Sequence, residues 1–159
     1  MSYDLKAVIA NSELLTTVTT PLPHARVTPL RHGLALMPVT EALLNALAPQ
    51  PHVPRTGFWS LTPRLAQHLT VWSAGGPVAY VESEYFGGIG EENAAVWRAG
   101  CIALGPLHLR EDDAPPAEGS AVCRALRELG LNASGTEDEF TIAGLGDHRD
   151  TEGWLSDAR

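Results

Sequence analysis

Along the chain, short apolar runs alternate with clusters of proline, glycine and threonine. Residues 3–10, YDLKAVIA, suit a strand. NSELLTTV follows, with Asn11 or Ser12 placed to cap a short helix by accepting orphan backbone N–H groups. Threonines 16, 17, 19 and 20 weaken that helix, and Pro21 and Pro23 end it. ARVTPLRHGLALMPV, residues 25–39, reads as extended chain with a turn near Gly33. Thr40 can cap EALLNALA, whose Leu43, Leu44 and Leu47 share a helical face. PQPHVPR, residues 49–55, has prolines at 49, 51 and 54 and reads as a loop within the domain.

The next helix has clear punctuation. Thr62 stands at the N-cap, Pro63 at the first helical position and Gly75–Gly76 just past the end, with Leu65, Leu69 and Trp72 at helical spacing. PVAYVESEYF then alternates as a strand. One side carries Val78, Tyr80, Glu82, Glu84 and Phe86, and the other carries Ala79, Val81, Ser83 and Tyr85. NAAVW is predicted as the returning strand, RAG as a tight turn and CIALGPL as a third strand, which makes a three-strand antiparallel meander. REDDAPPAEG reads as a solvated linker. Ser120 then caps an amphipathic helix with Val122, Ala125, Leu126 and Leu129 on one face and Gly130 as its stop. That apolar stripe needs a sheet to cover, and the meander is the nearest. DEFTIAGLGDHRDTEGW is expected to add a short strand. The mixture of helices and sequential strands predicts one α+β domain spanning residues 1–159, an antiparallel sheet packed by helices.

Composition narrows the class. A chain of 159 residues with 44% hydrophobic and 19% charged residues is globular rather than disordered. Nineteen Asp and Glu against eleven Lys and Arg give a formal net charge of −8. That balance repels a phosphate backbone, so no nucleic-acid partner is expected, and it attracts a basic protein. Cys101 and Cys123 lie far apart and in no CxxC pattern, so both are expected to be free, buried small hydrophobes. No convincing signal peptide or membrane-spanning run is visible, and a cytoplasmic location is the expectation.

Residues 85–97, YFGGIGEENAAVW, hold the sharpest question: a ligand loop or a turn. Gly88-Ile89-Gly90 resembles the start of a dinucleotide fingerprint, which needs a strand before it and a helix after it. Glu and Ala in EENAAVWRA favour a helix, but Ala-Val-Trp ending in Arg-Ala-Gly has the look of a hairpin arm. Glu91 and Glu92 would also repel phosphate. On the hairpin reading, Gly87, Gly88 and Gly90 supply positive φ for a wide turn or bulge. Glu82 and Glu84 share a strand face, so they could act as an acid–base pair, bind a hard cation or belong to an acidic patch. The histidines at 24, 32, 52, 68, 108 and 148 form neither HxxxH nor HExxH, so no metal or cofactor is expected. HRD at 148–150 matches a kinase triplet by chance.

YVESEYFGGIGEENAAVW, CRALRELGL and DEFTIAGLGDHRDTEGW together resemble a set of small bacterial proteins that carry a YFGG-G-x-x-AAVW core. Some of those proteins look like immunity proteins of bacterial toxin systems. The resemblance covers residues 77–154 and implies one α+β domain and a binding role, with no catalytic residue attached. The leading functional expectation is therefore a non-enzymatic acidic protein that inhibits a basic partner. Its surface would be an acidic patch of Glu82, Glu84, Glu91 and Glu92 with the loop Gly87, Gly88 and Gly90. The alternative is a small-molecule-binding or hydrolytic enzyme with its site at Glu82, Glu84 and the Gly87–Glu92 loop.

Overall fold

The N-terminal strand is the middle of the molecule. In the computed structural model, which describes residues 2–114 and 116–157, β1 (Ser2–Asn11) pairs on one side with β3 (Leu34–Pro38) and on the other with β4 (Val78–Phe86). β2 (Thr28–Pro29), β5 (Ile89–Arg98) and β6 (Cys101–Leu109) complete a six-stranded sheet of order β2-β3-β1-β4-β5-β6. Every neighbouring pair is antiparallel. β4, β5 and β6 therefore follow one another as antiparallel neighbours, joined by two-residue turns at Gly87–Gly88 and Ala99–Gly100.

Helices cover both faces. α1 (Ser12–Thr19), α2 (Glu41–Leu47) and α3 (Pro63–Trp72) lie on one side, where Leu15, Leu43, Leu65 and Leu69 meet Val8, Met37, Tyr80 and Trp97. α4 (Ala121–Glu128) and α5 (Glu139–Ala143) lie on the other, where Val122, Leu126 and Ala143 meet Leu5, Ile9, Val81 and Val96. The caps are local chemistry. Asn11 accepts from the Glu13 and Leu14 N–H groups, and Thr40, Thr62 and Ser120 cap their helices through the N–H three residues on. No helix among the described residues is long and apolar enough to cross a membrane.

Three expectations need correction. The segment after residue 138 forms α5 and two 3-10 turns instead of a strand. The Asp138 side chain accepts the Thr141 N–H at the start of α5, and Gly144 ends it in the left-handed region. A parallel bridge from Asp4 to Asp150, the Tyr3 hydroxyl donating to the Leu145 carbonyl at 2.8 Å, the Lys6 N–H donating to the Thr151 hydroxyl at 3.0 Å and the buried Leu145 and Trp154 tie this tail to the sheet. Second, Cys101 is exposed, because it opens the edge strand β6; Cys123, on the inner face of α4, is buried, and both are free. Third, one side of β4 is not a solvated polar face. Val78 to Ser83 are buried, with helices over the apolar positions and the loop at residues 55–61 over Glu82.

Candidate functional site

Strand pairing arranges one face of the sheet into rows. At the end beyond α1–α3, the outermost row is Ser2–Phe86–Ile89, the next is Asp4–Glu84–Glu91, and the third is Lys6–Glu82–Asn93–His108. Directly opposite residues hold their Cβ atoms about 5 Å apart. A row of three carboxylates thus crosses β1, β4 and β5, with like charges facing each other.

Glu82 is not part of that surface. It is fully buried, and four groups donate to it: the backbone N–H of Trp59 at 2.8 Å, that of Ser60 at 2.7 Å, the Tyr80 hydroxyl at 2.6 Å and the Asn93 Nδ2 at 2.9 Å. Asn93 therefore presents its Oδ1 to His108, whose Nδ1 lies 2.7 Å away and must carry the proton. Burial, with the Glu82 charge added, holds the Tyr80 phenol well above its ordinary range. The network clasps the loop at residues 55–61 onto the sheet. Arg110 adds a 3.2 Å bond to the Gly57 carbonyl, and the His108 ring packs edge-on against Phe58.

Glu92 points to the opposite face, as the residue next to Glu91 along a strand must. There it is buried, accepts from the Tyr85 hydroxyl at 2.8 Å, and accepts from the Val122 N–H at 2.9 Å. That N–H is one of the orphan donors in the first turn of α4, where a carboxylate is favoured. The patch of four carboxylates expected from sequence is thus divided: Glu82 and Glu92 are internal fasteners on opposite faces, while Glu84 and Glu91 reach solvent.

The glycines divide as well. Gly87 and Gly88 have φ of 63° and 84° and form the tight hairpin turn between Phe86 and Ile89, not a wide loop or a bulge. Gly90 sits opposite Tyr85 in the ladder with so little room that a Cβ there would collide with the Glu84 carbonyl oxygen and Tyr85. The glycine run turns the chain and lets two strands close.

What remains exposed is a groove of about 460 Å³ between the carboxylate row, the hairpin and Trp59. Asp4, Glu84, Glu91 and Glu111 line it. Phe86, 77% exposed, and Ile89, 63% exposed, form its outer edge. Two of the carboxylates have cation partners: Lys6 pairs with Asp4, and Arg110 lies 3.6 Å from Glu91. Among the described residues no Lys, Arg or His pairs with Glu84 between them. Asp4, Trp59 and Glu111 have no local sequence signal. They come from three separate segments, and only the alternation Asp4-Leu5-Lys6 hints that Asp4 and Lys6 share a face. Among the described residues, no cluster of three or more His, Cys, Asp or Glu is arranged to hold a metal ion.

No family model, no curated protein and no solved structure matches the chain.

Proposed function

We propose that this is a non-enzymatic binding protein, immunity-like in its manner of action, that receives a basic segment of a partner protein in the groove beside Glu84. The observation that carries this reading is the carboxylate row Asp4–Glu84–Glu91, whose middle member has no cation partner among the described residues, lying against the exposed pair Phe86 and Ile89. Like charges directly opposite in a sheet are unfavourable, and an incoming cation relieves them. The apolar pair supplies area that a partner desolvates, and the acidic rim steers it into place. The overall charge of −8 acts in the same direction. Glu82 does not serve this surface, because its oxygens are filled by protein donors.

The test uses matched synthetic peptides that carry basic, neutral or acidic side chains on one leucine-bearing frame, with binding followed by fluorescence anisotropy. The basic peptide should bind best, and more weakly as salt rises. Replacing Glu84 and Glu91 together by Gln should slow its association roughly ten-fold at low ionic strength. Equal binding of all three peptides, or a double variant that binds as wild type does, sinks the reading.

A further inference from the structure

Trp59 is the one tryptophan left partly open. Trp72, Trp97 and Trp154 are 6%, 2% and 2% exposed, while Trp59 is half-buried at the lip of the groove. Its backbone is anchored to the sheet. The Trp59 N–H donates to both oxygens of Glu82, at 2.8 and 3.1 Å, and the next N–H, from Ser60, is held there too. The ring already faces a cation: the Lys6 Nζ lies 5.7 Å from its centroid and also pairs with Asp4. An aromatic face together with a carboxylate is the chemistry that seats an ammonium or guanidinium group. Here the protein's own lysine occupies half of such a seat, and the adjoining half, Glu84, stands open.

We infer that Trp59 and Glu84 form the seat for an arginine or lysine side chain of the partner, and that Lys6 is a resident competitor for it. The inference rests on the groove reading above and adds the residues that select the cation. Lys6 crosses the sheet beside Glu82 and reaches Trp59 and Asp4, so its charge lies where the partner's must come. Glu82 acts here as a positioning residue: it holds the Trp59 backbone and does not itself meet the partner.

Competition makes a prediction that lost packing cannot imitate, since removing a side chain should tighten binding. Lys6→Met keeps an apolar stem over Trp59 and removes the charge. One unit charge at about 6 Å in water is worth about a three-fold change in affinity, so the variant should bind an arginine-bearing peptide on the leucine frame about three-fold more tightly. Trp59→Leu should weaken that peptide about two- to five-fold, and Trp59→Phe should retain most of the affinity. Replacing the arginine of the peptide by citrulline, its neutral isostere, should abolish the difference between wild type and Lys6→Met. Each variant is first checked for an unchanged circular dichroism spectrum and melting temperature. If Lys6→Met fails to tighten binding and Trp59→Leu fails to weaken it, while Glu84→Gln still does, the inference falls and the groove reading stands. If wild type and Lys6→Met both ignore the arginine peptide, both fall.

Discussion

The Glu82 carboxylate reaches out of β4 to take the backbone N–H of Trp59 at 2.8 Å, across 23 positions of sequence. One fully buried side chain thereby decides where a loop without regular structure lies, and with it one wall of the groove.

Removing that carboxylate should be costly. Glu82→Ala strands two backbone N–H groups, a hydroxyl and an amide, and should lower stability by about 3 kcal/mol or more. For a domain of this size the melting temperature should fall by roughly 6–12 °C. Glu84→Gln, two residues along the same face but exposed, should stay within about 0.5 kcal/mol of wild type. Thermal and urea unfolding of the two variants side by side decides the matter, and equal effects would contradict the division between internal and external carboxylates.

The hairpin glycines should differ as sharply. Gly90→Ala places a Cβ against the Glu84 carbonyl oxygen and Tyr85, and should cost about 1–3 kcal/mol. Gly87→Asn meets nothing within 4 Å and keeps a residue that accepts φ near 63°. It should leave stability unchanged or raise it by about 0.5 kcal/mol. Chemical denaturation midpoints provide the measure.

His108 should contribute to the pH dependence of stability. Partial desolvation of an imidazole that stays largely exposed, helped by the neighbouring Arg110, lowers its pKa below the ordinary 6.5, against an opposing pull from Glu82. Asn93, Phe58 and Gly57 are its other neighbours and carry no charge. A lowered folded-state pKa means that the folded protein binds fewer protons than the unfolded chain. The stabilising contribution is therefore complete above pH 6.5 and is lost as pH falls through the folded value. His68 is lowered too, chiefly by burial and then by Arg64, so the comparison must be made on single variants. His108→Gln should show a shallower loss of stability between neutral and mildly acid pH than wild type, and a titration of the imidazole by NMR should give a midpoint below 6.5.

The two thiols should separate by exposure. In the native protein a thiol reagent should modify Cys101 quickly and Cys123 slowly, because Cys123 is buried and burial pushes its thiol pKa up. In denaturant without reductant both should react. Two fast groups in the native state would contradict the packing of α4 against the sheet.

The sequence by itself determined most of the local elements up to Gly130, because their causes are local; the turn of helix that Asp138 caps reads from sequence as a strand. Caps at Asn11, Thr40, Thr62 and Ser120, the proline that opens α3 and the stop at Gly130 act within a few residues of the backbone groups they satisfy. Alternation over residues 77–86 defined β4 and which of its side chains share a face. Alternation does not say what covers a face. A strand with apolar and charged residues on one side has the same pattern whether water or a loop lies over the charge. Only the tertiary structure brings Trp59 and Ser60 over Glu82, and the first turn of α4 over Glu92, turning two apparent surface charges into acceptors for backbone donors. It alone places β1 beside β4, so that Asp4 completes the carboxylate row and Lys6 meets Trp59. Those contacts join residues dozens of positions apart, and the free energy that selects them is the burial of two helical layers on a shared sheet, which no short window of sequence contains.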